Sequence, residues 1–191
     1  MSAPVFFPND LWVGQEVHFT LPSPSTWIID GKIGAERCLW MDHEQAALGE
    51  VSEAVCIFSC HNGDIEGTMH VSMQIPYHGS EFLPAGIRQK QAASKLTDFL
   101  ERELEAAELL RVHGCEHVAQ PLGLLRGVQD MDGLVPGGWI VHYVLSKVPG
   151  VPLGEPTMSW KKGIQMQDGL FWGLERVKRD QIRAGFQEAY R

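Results

Sequence analysis

The chain has 191 residues, of which 44% are hydrophobic and 21% are charged. This length and composition are typical of one globular core with room for an appended element, and they exclude two full-sized domains. The formal net charge of −8 at pH 7 argues against nucleic acid and anionic membrane as partners, because both would repel the chain.

The first 75 residues carry a strand pattern. Short apolar or alternating runs, separated by proline and glycine turn signals, occupy residues 17–21, 27–29, 38–41 and 51–58. The clearest turn signal is Asn62-Gly63, because both residue types accept the positive φ that a tight hairpin turn needs. We therefore expect a hairpin whose second strand covers residues 68–75.

The middle of the chain predicts one long helix. From residue 88 to residue 113, apolar side chains recur at three-four spacing, with Leu96, Leu100 and Leu104 at its centre. Gly114 is placed to end this helix as its C-cap. Such a helix presents one buried stripe to the predicted sheet.

Strands resume after the helix, at residues 122–125 and 139–145. The proline-rich segment 147–156 excludes regular structure, and the spacing of apolar residues from 174 to 190 predicts a terminal amphipathic helix. We expect a single α+β domain with a strand-rich extension (residues 1–45), a core (46–148) and a linker with a terminal helix (149–191).

The four cysteines are too few for a disulfide framework in a chain of this length. Cys56 and Cys60 lie four residues apart on a predicted strand, followed by His61, and the other zinc candidates are His113 and Cys115. Buried free cysteine is the commoner state, so we predict no metal site. The N-terminus has no signal-peptide pattern, and no apolar run approaches the ~20 residues that span a bilayer, so we expect a cytoplasmic protein.

The order of these elements resembles the N-terminal lobe of a kinase. Several stretches are similar to kinase-like proteins of filamentous fungi, a branch near the aminoglycoside phosphotransferases. These stretches are Met73-Gln-Ile-Pro-Tyr, Glu103-Leu-Glu-Ala, Gly114-Cys-Glu-His-Val-Ala-Gln-Pro-Leu-Gly, Val135-Pro-Gly-Gly-Trp-Ile, Val148-Pro-Gly-Val-Pro-Leu and Asp180-Gln-Ile-Arg-Ala-Gly-Phe-Gln-Glu-Ala-Tyr. The resemblance covers about residues 50–191, and it implies an antiparallel sheet with one long helix beside it. Residues 1–45 match no part of the family.

Three departures from the family pattern argue against phosphoryl transfer. His70 stands where the resemblance implies a lysine that holds the nucleotide phosphates, although Glu103 matches the helix glutamate that pairs with it. The first hairpin has no glycine-rich loop to cradle phosphates. The sequence also contains no catalytic-loop aspartate and no metal-binding Asp-Phe-Gly. We therefore expect no kinase activity, no cofactor and a self-sufficient unit.

What remains is a scaffold that could bind a small, mainly apolar molecule. The resemblance places Thr68, His70 and Leu145 along the wall where adenine would lie, and we expect an enclosed apolar cavity between that wall and the segment after Pro149. His70 and Glu103 are the candidate catalytic residues, and the candidate pocket residues are Thr68, His142, Tyr143 and Leu145. A cofactor-independent cyclase, isomerase or pericyclase of secondary metabolism would need only such a pocket and a few polar groups.

Each of these polar side chains also has a structural interpretation, since histidine within an apolar strand is commonly a hydrogen-bonded core residue. The alternative function is a regulatory or scaffolding pseudokinase-like fragment that binds a protein partner, and the glutamates of the long helix suit it. Those glutamates are equally typical of a solvated helix face. A homodimer is a further expectation.

Overall fold

The computed structural model describes residues 5–150, 153, 156–159, 163–166 and 170–189. The chain divides into two compact units, Met1–Lys147 and Val148–Arg191. The strands are β1 (Glu16–Phe19), β2 (Ser25–Lys32), β3 (Arg37–Leu39), β4 (Glu53–Asn62), β5 (Ile65–Gln74), β6 (Pro121–Val128), β7 (Trp139–Ser146), β8 (Pro156–Ser159) and β9 (Gly163–Met166). The helices are α1 (Asn9–Trp12), α2 (His43–Ala47), α3 (Ala85–Arg88), α4 (Asp98–Val112), α5 (Leu170–Gly173) and α6 (Arg176–Ala189).

The first unit is built on a seven-stranded antiparallel sheet that is nearly closed. Its strands follow the order β1-β2-β4-β5-β7-β6, with β3 also paired to β4. The two ends of this order approach each other at one bridge, where the Leu124 backbone N–H donates to the Leu21 carbonyl oxygen at 3.3 Å. The α+β class and the antiparallel sheet predicted from the sequence are confirmed.

The concave face of the sheet encloses the larger core. Strand alternation sends Met69, Val71 and Val144 to this face, and the N-terminal residues Phe7 and Phe19 pack with them. The N-terminal strand-rich extension therefore supplies part of the main core.

The opposite face of the sheet is covered by α4. Leu100 and Leu104 of this helix pack against Trp139, Val141 and Tyr143 of β7 and form a second cluster. The three-four spacing predicted the burial of Leu96, Leu100 and Leu104 correctly. The predicted stripe also included Phe99 and Leu110, which are exposed.

The prediction of one long helix over residues 88–113 is wrong at the N-terminal end. A short α3 and a 3₁₀ turn (Gln89–Gln91) come first, and α4 begins only at Asp98. The amide of Gln74 interrupts the helix because it accepts from the Ala93 N–H at 2.9 Å and donates to the Gln91 carbonyl at 2.6 Å. In a continuous helix, those two backbone groups would instead form hydrogen bonds with helical residues four positions away.

The end of α4 and the turn between β4 and β5 agree more closely with the predictions from the sequence. Gly114, directly after the C-cap His113, has a φ of +65°, as a helix-ending glycine should. The β4–β5 hairpin closes between Asn62 and Ile65, and only Gly63 of the predicted turn pair has a positive φ (+58°). Asn62 is instead the last residue of β4.

The second unit contains the β8–β9 hairpin, α5 and α6. The predicted terminal helix is confirmed over Arg176–Ala189. The guanidinium of Arg179 lies 5.6 Å from the Trp172 ring centroid, and that of Arg183 lies 5.3 Å from the Phe171 ring centroid. Within the described ranges of both units, no helix has the length and apolar character needed to cross a bilayer.

Candidate functional site

His70 and Glu103 meet between the sheet and α4. His70 lies on β5 and faces α4, because its strand neighbours Met69 and Val71 point to the concave core. Its Nδ1 lies 3.8 Å from Glu103 Oε1, which is close but too long for a hydrogen bond. The predicted approach of these two side chains is confirmed.

The electrostatics of the pair differ from the expectation. A neighbouring carboxylate should raise the pKa of an imidazole, but burial, helped by the Arg37 guanidinium, lowers the pKa of His70 to about 4. His70 is therefore neutral at pH 7. Burial also raises the pKa of Glu103, against the opposing effect of Arg37.

Tyr143 lies directly beside His70 in the register of β5 and β7. The two ring centroids are 6.5 Å apart in an edge-to-face arrangement. The tyrosine hydroxyl is buried, and it has no hydrogen-bond partner in the part of the chain that the structure describes. Burial, followed by the charges of Glu103 and Glu108, raises the pKa of Tyr143 to about 12. A neutral imidazole and a neutral phenol therefore share this face.

His142, in contrast, does not share this face with His70, Glu103 and Tyr143. As the neighbour of Tyr143 on β7, it points to the concave core, where its ring centroid lies 6.2 Å from that of Trp12. Burial lowers the pKa of His142 to about 4. The four polar residues predicted to converge are thus divided between the two faces of the sheet.

Sequence reasoning missed two charged residues on the α4 face. Glu53 is buried at the start of β4, and its Oε2 accepts a hydrogen bond from the Thr97 hydroxyl at 2.7 Å. Arg37, on the neighbouring β3, lies opposite Val55 and acts electrostatically on Glu53, His70 and Glu103. The alternation along residues 51–58 was a usable signal, because it places Glu53 on the same face as Val55.

Thr68 and Leu145 pair across β5 and β7, and Thr68 lines a cleft of about 440 Å³. This cleft lies between the β4–β5 hairpin, the end of β2 and Lys147. Its lining residues are Asp30, Ile33, Ser59, Cys60, His61, Gly63, Asp64, Glu66, Gly67, Thr68 and Lys147. His70, His142, Tyr143 and Leu145 do not line it.

A histidine–carboxylate hydrogen bond and an ion pair border this hairpin cleft. His61 Nδ1 lies 2.7 Å from Asp30 Oδ1, and Lys147 Nζ lies 2.6 Å from Glu66 Oε2. The bond from Lys147 lowers the pKa of Glu66. The cleft is therefore bordered by charged side chains and open to solvent, unlike the enclosed cavity that the sequence suggested. The border of the cavity that was expected from the segment after Pro149 belongs to the other unit and stays a prediction.

A second cleft, of about 410 Å³, lies between α2 and the segment around Gln91. The buried polar side chains that line this cleft form hydrogen bonds with the protein backbone. Ser52 Oγ accepts from the Met41 N–H at 2.9 Å, and the amides of Gln74 and Gln91 hold backbone groups of the segments that form the walls.

Cys56 and Cys60 are free and buried in the concave core. Burial raises the pKa of Cys56 to about 11 and that of Cys60 to about 12, so neither is a thiolate at pH 7. His61 points away from them and pairs with Asp30. Among the described residues, no group of three or more histidine, cysteine or acidic side chains could hold a metal ion.

No family model, curated protein or solved structure matches this chain.

Proposed function

We propose that the first unit is a kinase-like lobe that binds a small molecule in the hairpin cleft and does not transfer phosphate. The hairpin cleft carries this proposal. Its volume of about 440 Å³ is within the ~300–1,000 Å³ typical of ligand sites. It is bordered by Thr68, which the resemblance placed on the adenine wall, and by Lys147, directly after β7.

The order of elements supports the kinase-like part of the proposal. The hairpin β4–β5 is followed by α4 and then by β6 and β7, and β7 pairs with β5. Glu103 of α4 approaches position 70 of β5, where the resemblance implies a lysine–glutamate pair. These are the relations that the sequence resemblance implies.

The proposal that this lobe does not transfer phosphate rests on the lack of a positive charge at position 70. A neutral imidazole cannot replace the permanent cation that neutralises transferring phosphates. Arg37 is a cation on the same face of the sheet as His70. However, it interacts electrostatically with the carboxyl groups of Glu53 on β4 and Glu103 on α4. An anionic ligand would therefore meet two carboxyl groups as well as one guanidinium.

The hairpin cleft places charged and hydroxyl-bearing side chains beside a largely apolar lining, so the ligand expected there combines an apolar body with polar groups. Asp30, Asp64 and Glu66 can accept hydrogen bonds, while His61 and Lys147 can donate them. In the enzymatic form of the proposal, a cofactor-independent cyclase, isomerase or pericyclase, the neutral His70 and Tyr143 on the α4 face would supply polar groups in addition to Thr68.

Amide chemical-shift mapping of the full chain with a library of small polar fragments would test the binding site. We expect fragments to shift the amides of Thr68, His61 and Lys147 at millimolar concentration. Thr68→Phe should abolish these shifts by filling the cleft, whereas Ala47→Phe, which fills the other cleft, should preserve them.

Two outcomes would contradict the proposal. Fragments that bind equally well to both variants, or no fragment that shifts these amides, would argue against the cleft as a site. Calorimetric titration with ATP and magnesium should give no saturable heat at millimolar concentration, and a sub-millimolar affinity would overturn the claim about phosphate.

A second candidate function, binding of a protein partner, is favoured by the outer side of α4. Leu109 and Val112, three residues apart on this helix, are 58% and 63% exposed, and Leu109 lies one turn after the acidic Glu105. Exposed apolar side chains with a charged surround are typical of interaction surfaces. Concentration-dependent self-association of the full chain, together with failure of every fragment to bind, would favour this function or the expected homodimer over the hairpin cleft.

A further inference from the structure

A carboxyl side chain is buried where α4 begins. Glu53 is only 4% exposed, and its Oε2 accepts a hydrogen bond from the Thr97 hydroxyl at 2.7 Å. The Thr97 oxygen also accepts from the Leu100 backbone N–H at 3.3 Å, and so it caps the first turn of α4. One carboxyl group therefore connects the sheet to the start of the helix.

The groups that act on Glu53 come from three elements besides its own strand. Arg37 lies on β3 and Glu103 on α4, while Thr97 at the N-cap of α4 and Ser72 of β5 contribute hydroxyl groups. His70 lies further along β5, where it faces Glu103. Arg37 is the cation of this set, and it is exposed to solvent. Burial and the charge of Glu103 outweigh Arg37 and the two hydroxyl groups, so the pKa of Glu53 is raised.

We propose that Glu53 is a proton-controlled latch for α4. When the helix is docked, this carboxyl group is protonated more readily than in water, and loss of the proton weakens the docking. When the first turn of α4 opens, water reaches Glu53 and the carboxylate becomes stable there. Docking of α4 also holds Glu103 beside His70, so the latch controls the arrangement of the whole α4 face.

The direction of the pH effect follows from proton linkage. Above the ordinary value of 4.5, the docked state binds more protons than the opened state until the pH exceeds the raised pKa of Glu53. Docking therefore weakens as the pH rises through this window. His70 has the opposite effect, because its lowered pKa makes docking stronger as the pH rises from 4 to 6.5.

Hydrogen exchange of the α4 amides in the full chain would separate the two effects. Glu53→Gln keeps an oxygen that can accept from Thr97 but cannot titrate, and it leaves His70 unchanged. Between pH 5 and pH 8, we expect the opening equilibrium of the wild-type helix to increase relative to this variant, by about tenfold for each unit by which the pKa is raised. Glu105→Gln, an exposed change on the same helix, should follow the wild type.

Parallel pH curves for the wild type and Glu53→Gln would overturn the proposal. A titration of the Glu53 side-chain carboxyl carbon by NMR in the unmodified protein gives a second test, which does not depend on the variant folding. We expect its midpoint to be above 4.5, and a midpoint at or below that value would equally contradict the latch.

Discussion

At the scale of single residues, Gly123 makes room for an aromatic ring. A Cβ atom at this position would lie 2.8 Å from Cδ1 of Phe19, which is buried in the concave core. Gly123 belongs to β6 and Phe19 to β1, so this contact joins the two ends of the sheet. The missing side chain thus allows the sheet to approach closure.

We expect Gly123→Ala to destabilise the protein by about 1–3 kcal/mol, the usual cost of forcing an extra methyl group into a packed core. Urea unfolding followed by tryptophan fluorescence would measure it. Gly86→Ala is the matched control, because a Cβ there meets no atom within 4 Å. Equal stability of the two variants would mean that Phe19 moves aside at little cost.

The division of the predicted polar residues also has a residue-level explanation. His142 and Tyr143 are sequence neighbours, and neighbours on a strand point to opposite faces. Once residues 139–145 were assigned to a strand, His142 and Tyr143 could therefore no longer be expected to line the same pocket. The sequence could not indicate which face would be concave, because that depends on the pairing of β1 with β2 and on the distant approach of β6.

At the scale of elements, the strands were more predictable than the middle helix. Apolar alternation and the Asn62-Gly63 turn located β4 and β5, because both signals are local. The interruption before α4 depends on Gln74, whose amide reaches Ala93 across nineteen positions of sequence. Periodicity alone carries no information about such a contact. Thr97 was the local signal available, since threonine is a favoured N-cap.

Gln74→Met tests this interruption. The change retains volume but leaves the Ala93 N–H and the Gln91 carbonyl without their partner, and each unsatisfied buried group costs ~1–3 kcal/mol. We expect a loss of about 2–5 kcal/mol in urea unfolding and faster exchange of the Ala93 amide. Gln89→Met, at an exposed position in the adjoining turn, should have little effect. Similar losses for both variants would refute the role assigned to Gln74.

At the scale of the whole molecule, the buried His142 and the half-buried His70 should contribute to the response to acid. Burial lowers the pKa of both His70 and His142 to about 4, against an ordinary value of 6.5. Between these values, each of the two histidines binds a proton more readily in the unfolded chain than in the folded chain. The stability that they contribute is therefore fully present above pH 6.5 and decreases as the pH falls toward 4, by up to about 3 kcal/mol for each histidine.

His142→Leu removes one of the two groups while retaining an apolar side chain beside Trp12. We expect urea unfolding between pH 7.5 and pH 4.5 to show a smaller loss of stability for this variant than for the wild type. His113→Gln, an exposed change after α4, should lose as much as the wild type. If His142→Leu lost stability as steeply as the wild type, acid sensitivity would have to come from other groups.

The near-closure of the sheet also affects synthesis of the protein on the ribosome. Phe7 and Phe19 are made first, yet they pack in one core with Val144. At ~5–20 residues per second, the 125 positions between Phe19 and Val144 take roughly 6–25 s to translate. Throughout that interval the aromatic residues of the nascent chain lack part of their final core. We expect ribosome-bound chains stalled before β7 to be cleaved by protease near Phe19. Resistance to cleavage at that stage would show that the N-terminal strands fold without β7.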